Sequence, residues 1–289
     1  MEHQFLVPLI TPFNEDESVN KEALVELIDL LIEEGADGFY ALGSSAECFL
    51  LTEQERKEVL ELIVKHTKGK YVIAHIGDVS TKKAIMFAKH AESLGVDAVS
   101  SVAPFYFHYS YEEIKSYYKA ISKSVSIPLI IYNAPNYIKQ KFTLDQMLDL
   151  LSIDNVLGMK FTDSNFYLLE QIRFNTNKII YSGSDEVYLA SLIMGSTGVI
   201  GTSLNVMIES FIKIYKLFHD KKYEEALKVQ NKVNNVIRVL VDVGLIEGIK
   251  YILSLKGIEA GHSRKPFKNL TKEDKKKIEN AWKRYREML

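Results

Sequence analysis

The sequence predicts an α/β chain closed into a (β/α)8 barrel and followed by a C-terminal helical extension. Three observations carry this. First, eight short apolar runs alternate with helical patterns up to about residue 201, which requires parallel strands joined by crossover helices. Second, three returns share one signature: Glu34-Gly35-Ala36-Asp37-Gly38-Phe39, Leu94-Gly95-Val96-Asp97-Ala98-Val99 and Met194-Gly195-Ser196-Thr197-Gly198-Val199. Each reads as a glycine helix cap, a short loop and a buried strand. Third, the turn after the first run, Ile10-Thr11-Pro12-Phe13-Asn14, contains no glycine, so the Gly-x-Gly-x-x-Gly turn of an open doubly wound sheet is missing. Closure as a TIM barrel is the remaining arrangement, and about 250 residues is its usual size.

Taken in order, residues 5–10 form the first strand and Thr11-Pro12-Phe13 its loop. Asn20 caps a helix carrying Leu24, Leu27, Ile28, Leu31 and Ile32 at helical spacing, stopped by Gly35. Strand two is 38–42, and Thr52 with Glu55 opens the next helix as a capping box. Strand three is 71–76, then helix 80–94 closed by Gly95; strand four is 98–102, then helix 111–124. Strand five is 127–132, then helix 143–151; strand six is 156–161, then helix 165–174. Strand seven is 179–182, then helix 185–194, and strand eight is 198–201. Helices at 224–243, 248–255 and 272–288 follow with no further strand, so the expected division is a barrel over 1–222 and a helical appendage over 223–289.

Composition narrows the function classes. With 36 basic and 38 acidic residues intermixed, a net charge of −2 argues against nucleic acid or an anionic membrane as the main partner. The basic run at 272–277 reads as a solvated helix face. Cys48 is the single cysteine, which excludes an intrachain disulfide and a cysteine-based zinc site. The first residues lack a signal-peptide pattern and no apolar run approaches about 18 residues. A cytoplasmic protein is expected.

Barrel chemistry sits in the loops after the carboxyl ends of the strands. Those loops read Gly43-Ser44-Ser45-Ala46-Glu47, Pro104-Phe105-Tyr106-Phe107-His108, Tyr132-Asn133-Ala134-Pro135, Lys160-Phe161-Thr162-Asp163, Gly183-Ser184-Asp185-Glu186 and Gly201-Thr202-Ser203. Only His75 and His108 come near this rim, so a metal site lacks ligands. Lys160 reads two ways: a strand end reaching water, or a desolvated amine among Leu157, Met159 and Phe161 whose pKa falls until it is nucleophilic. Gly43-Ser44-Ser45 is an ordinary turn or a cradle of N–H and hydroxyl donors for a carboxylate. Tyr132 is packing or chemistry. Asp185-Glu186 is expected to cap the helix that follows, which leaves it free to bind a polyol as well. Cys48 reads as structural, because the sequence places no histidine beside it.

These blocks are similar to those of the N-acetylneuraminate lyase / dihydrodipicolinate synthase family, and the likeness extends to Arg264-Lys265-Pro266-Phe267. The resemblance implies a class I, Schiff-base pyruvate aldolase on a barrel with extra C-terminal helices, assembled as a homotetramer. By it Lys160 is the Schiff-base lysine, Tyr132 the proton-shuttling tyrosine, and Ser44 and Ser45 the pair holding the pyruvate carboxylate. Tyr106 matches a tyrosine that enters the neighbouring subunit's site. Thr162, Gly183, Asp185, Glu186 and Thr202 match positions that bind the sugar-derived part. Ala46 stands where the family usually has glycine, which implies an altered loop if that position needs positive φ. Asn136-Tyr137-Ile138 lacks the arginine that dihydrodipicolinate synthases use for a second carboxylate, and the nearest cation in sequence is Lys139. The implied activity is therefore cleavage of N-acetylneuraminate to N-acetylmannosamine and pyruvate. The alternatives are another 2-keto-3-deoxy sugar acid aldolase, 4-hydroxy-tetrahydrodipicolinate synthase, or a non-catalytic barrel that binds pyruvate or a sugar acid.

Overall fold

The computed structural model of the chain describes residues 3–138 and 140–287. Lys139 and residue 288, the expected end of the last helix, lie outside the described residues. Eight parallel strands close in chain order: β1 (Gln4–Pro8), β2 (Gly38–Ala41), β3 (Tyr71–His75), β4 (Ala98–Val102), β5 (Leu129–Asn133), β6 (Val156–Phe161), β7 (Ile179–Ser182) and β8 (Gly198–Val199). Pairing of β8 with β1 completes the ring. The helices around it are α1 (Lys21–Glu33), α2 (Glu53–His66), α3 (Thr81–Ser93), α4 (Tyr111–Ser122), the single turn α5 (Pro135–Ile138), α6 (Leu144–Leu151), α7 (Phe166–Asn175), α8 (Tyr188–Ile193) and α9 (Leu204–His219). Then come α10 (Tyr223–Val243), α11 (Leu245–Leu255) and α12 (Lys272–Glu287). No helix among the described residues is long and apolar enough to cross a membrane.

Local sequence explains most boundaries. Asn20 and Asn165 accept from the N–H groups of Ala23 and Leu168, and Thr52 with Glu55 closes the capping box as expected. The strands are predominantly apolar because each is buried on two faces, and most of their polar residues gather toward the carboxyl ends. Leu6, Tyr40, Ile73, Ala98, Ile130, Tyr181 and Ile200 fill the barrel interior, and a larger cluster fills the layer between strands and helices.

Three expectations need correction. Helix α9 goes unread in the sequence because its N-cap, Ser203, makes no local cap and instead donates to a carboxylate 18 positions away. The expected helix 185–194 is a 3-10 turn, Asp185–Val187, followed by the short α8, and Asp185 caps neither. Strand eight ends at Val199 rather than 201, since the Gly201 carbonyl already accepts from the Leu204 N–H.

The strand carrying Lys160 is irregular. Leu129 pairs with Val156, but Ile130 pairs with Gly158, so Leu157 is an extra residue in β6. Val156, Met159 and Phe161 all pack in the outer layer, while Leu157 packs on the interior cluster. Simple alternation from Leu157 would send residue 160 outward; the bulge restores the phase and turns Lys160 into the barrel.

Candidate active site

Lys160 and Tyr132 are direct neighbours in the β5–β6 register, at the carboxyl ends of their strands. Lys160 is 5% exposed and Tyr132 3%. The amine lies 4.3 Å from the Tyr132 ring centroid and 4.5 Å from that of Tyr40. Burial drives the Lys160 pKa down to about 7, against the opposing pull of the Asp185 carboxylate. The apolar walls differ from those expected: Met159 and Phe161 lie behind the strand, and tyrosine rings face the nitrogen instead. Tyr40 is a site residue that sequence reasoning missed. Inside the apolar run 38–42 nothing separates it from packing, and only closure of the barrel brings β2 across from β6.

Burial also raises the Tyr132 phenol, while the hydroxyls of Ser44 and Thr162 beside it pull the pKa back. The Thr162 hydroxyl oxygen is buried and forms no well-aligned hydrogen bond, so it is left with unused capacity. Gly183 sits against this group: a Cβ there would stand 1.9 Å from Thr162 Oγ1 and 3.2 Å from Lys160 Cε, so no side chain fits.

Ser44, Ser45 and Ala46 form a 3-10 turn, with the N–H groups of Ala46 and Glu47 donating to the carbonyls of Gly43 and Ser44. Ser45 Oγ is 2.7 Å from Thr202 Oγ1, joining the loops after β2 and β8. Positive φ falls on Glu47 (56°), not on Ala46, so alanine at 46 costs the loop nothing in backbone strain. Ala46 is itself buried, and its carbonyl accepts from Thr11 Oγ1 at 2.8 Å.

Asp185 is buried, and burial raises its pKa to about 6 against its hydrogen bonds to Ser203. Its Oδ2 accepts from the Ser203 N–H (2.8 Å) and hydroxyl (2.7 Å), whereas Oδ1 is buried without a partner. Gln230, reaching in from α10, donates to the Asp185 carbonyl at 3.0 Å and accepts from the Leu189 N–H at 3.0 Å. A Cβ on Gly201 would lie 1.3 Å from Asp185 Oδ1, which makes glycine obligatory there. Ser203, Gln230 and Gly201 thus set the carboxylate's position; their contacts span loops and left no local signal. Glu186, by contrast, is exposed, and its carbonyl accepts from Asn234.

Two residues do not join the cluster. Tyr106 is 86% exposed, with its ring against Phe107 rather than Lys160. Cys48 does have a histidine nearby after all, with Sγ 3.8 Å from His75 Nδ1. His75 cannot act as its base: Nε2 accepts from the Val102 N–H, so Nδ1 carries the proton and faces the Leu42 carbonyl at 3.0 Å. Burial and then Arg56 push His75 down to about 3, and burial pushes the Cys48 thiol up to about 12. Both stay neutral near pH 7.

Residues 1–285 match the model of the dihydrodipicolinate synthetase family. The chain is 37% identical to an N-acetylneuraminate lyase from Rhizobium meliloti over 268 residues, 92% of this chain and 89% of that one. It is similar to the crystal structure of CdNal from Clostridium difficile in complex with mannosamine, with a TM-score of 0.95 and 36% identity over 98% of this chain and 99% of that one. It is also similar to the N-acetylneuraminate lyase from Fusobacterium nucleatum complexed with pyruvate, with a TM-score of 0.93 and 33% identity over 98% of this chain and 97% of that one.

Proposed function

Because the chain belongs to the dihydrodipicolinate synthetase family, we propose that it is a Schiff-base lyase cleaving N-acetylneuraminate to N-acetylmannosamine and pyruvate. The observation that carries this is the buried Lys160 amine, held near neutrality beside the Tyr132 phenol. The amine adds to the C2 ketone of the open-chain sugar acid, and loss of water gives an iminium ion. Tyr132 gives its proton to the hydroxyl that departs as water and, as the phenolate paired with the iminium, takes the C4 hydroxyl proton; the C3–C4 bond breaks, and its electron pair moves into the iminium as an enamine. N-acetylmannosamine leaves as the aldehyde. Protonation at C3 and hydrolysis then release pyruvate and the free lysine. The imine itself holds the electron pair, so the scheme calls on no cofactor.

Ser44 and Ser45 hold the pyruvate carboxylate through their hydroxyls and backbone N–H groups; this keeps the ketone in line with the amine. Thr162, Asp185, Glu186 and Thr202 take the sugar hydroxyls, with Gly183 leaving the space. The unpartnered Oδ1 of Asp185 supports this assignment, since a buried carboxylate oxygen needs a partner. A carboxylate accepting from hydroxyls also suits a neutral polyol better than a second anion. The exposed Tyr106 serves the site of a neighbouring protomer in a homotetramer.

Product analysis with N-acetylneuraminate, ketodeoxygluconate and aspartate semialdehyde tests the substrate directly. Release of N-acetylmannosamine is expected, and turnover of aspartate semialdehyde instead would assign the chain to the synthase activity. Asp185→Ala is expected to lose cleavage by about 10²-fold, the scale of forfeiting charged hydrogen bonds worth about 3 kcal/mol. The variant should still form the pyruvate imine. Equal loss of both would mean that Asp185 does not serve the sugar.

A further inference from the structure

The loop bearing Ser44 and Ser45 is anchored from a distant part of the chain. Glu47 follows the two serines in a left-handed conformation (φ 56°) and joins two consecutive 3-10 turns. Its Oε1 meets Lys250 Nζ of α11 at 2.7 Å, with both side chains 0% exposed, and its Oε2 accepts from the Arg264 N–H at 2.8 Å. Lys250 also donates to the His262 carbonyl at 3.1 Å and lies 4.2 Å from the Phe13 ring centroid. The Arg264 guanidinium covers the same ring at 4.5 Å and binds the carbonyls of Glu17 and Leu50 together with the Glu55 carboxylate. The 261–264 segment is pressed close: a Cβ on Gly261 would sit 1.9 Å from the Phe13 carbonyl, and the Glu247 carboxylate holds the Ser263 N–H at 2.7 Å.

A buried ion pair is a poor source of stability, because desolvating two charges offsets most of their attraction. It is a good source of direction: each Glu47 oxygen has a dedicated donor, so the carboxylate has one orientation. A non-glycine residue in the left-handed region persists only where its surroundings over-determine it. The turn presenting the serines lies immediately before that residue. We propose that Lys250 and Glu47 are positioning residues for pyruvate, through which the C-terminal helices fix the Ser44-Ser45 turn against the Lys160 amine. This rests on the Schiff-base reading above, and the residues themselves touch no substrate.

The test is the pyruvate dependence of borohydride trapping in the full-length protein, for the parent, Lys250→Met, Glu47→Gln, the double variant and Lys250→Arg. Each single variant is expected to raise the half-saturating pyruvate concentration about tenfold or more, as a misplaced binding group does. The trapping rate at saturation should stay within about threefold of the parent, since the amine is untouched. The double variant should be no worse than the poorer single, because the two act as one unit, and Lys250→Arg should restore part of the loss. If Lys250→Met does not fold, the double variant, which buries no uncompensated charge, is read in its place. Half-saturation unchanged within about twofold, or a fall in the saturated rate alone, would overturn the inference. A parent that traps no pyruvate would overturn it together with the lysine chemistry; a trapping parent with unaltered variants would overturn it alone.

Discussion

Borohydride reduction in the presence of pyruvate is expected to leave one three-carbon adduct, on Lys160, and to inactivate the protein. Lys160→Met should take up no adduct and lose on the order of 10⁴-fold or more in cleavage, the scale on which loss of a nucleophile acts. Peptide mass mapping decides it: an adduct on another lysine, or none, removes covalent catalysis. The pH dependence follows from burial. Lys160 titrates at about 7 in the folded protein, so above that pH the amine is already a free base. Below it, each pH unit removes about tenfold of the reactive form, and the initial trapping rate should fall in proportion. Asp185 raises the Lys160 pKa, so Asp185→Asn should move this acid limb to lower pH. A trapping rate that is flat through neutrality would show that the titrating amine is not the one being trapped.

Tyr132→Phe should reduce cleavage by about 10²–10⁴-fold, the usual worth of a positioned proton carrier. It is an informative change because phenylalanine keeps the ring face beside the Lys160 amine and removes only the hydroxyl. Lysine burial, and with it the pH at which trapping sets in, should therefore stay close to the parent's. Pyruvate should still be trapped, more slowly, because forming the imine also moves protons. Cleavage within about fivefold of the parent would mean that the phenol is not the group that deprotonates the substrate.

Much of this was legible in one dimension. Strands β4, β6 and β7 keep the bounds read from the sequence, because parallel strands buried on both faces are predominantly apolar between their flanking turns. Helices α1, α2, α6 and α7 start at Asn20, Thr52, Thr143 and Asn165, whose side chains accept from N–H groups three residues ahead. Such a bond is local, so it leaves a local signature. Helix α9 has no such signature, since its N-cap serine is committed to Asp185. Tyr40, Gln230 and Lys250 escaped for the same reason: each acts on a partner from another element.

The linear chain already carries the alternation of eight strands with helices, the rim to which the polar loops belong, and the identity of the lysine, tyrosine and serine blocks. Those properties reside in spacing and residue type, which survive without coordinates. Which way Lys160 faces, and how it is solvated, depends on the closed barrel. One extra residue in β6, Leu157, shifts the side-chain phase, and closure of the ring then brings Tyr40 over the nitrogen and strips water from it. A bulge is a relation between two strands, and desolvation is a property of everything surrounding an atom.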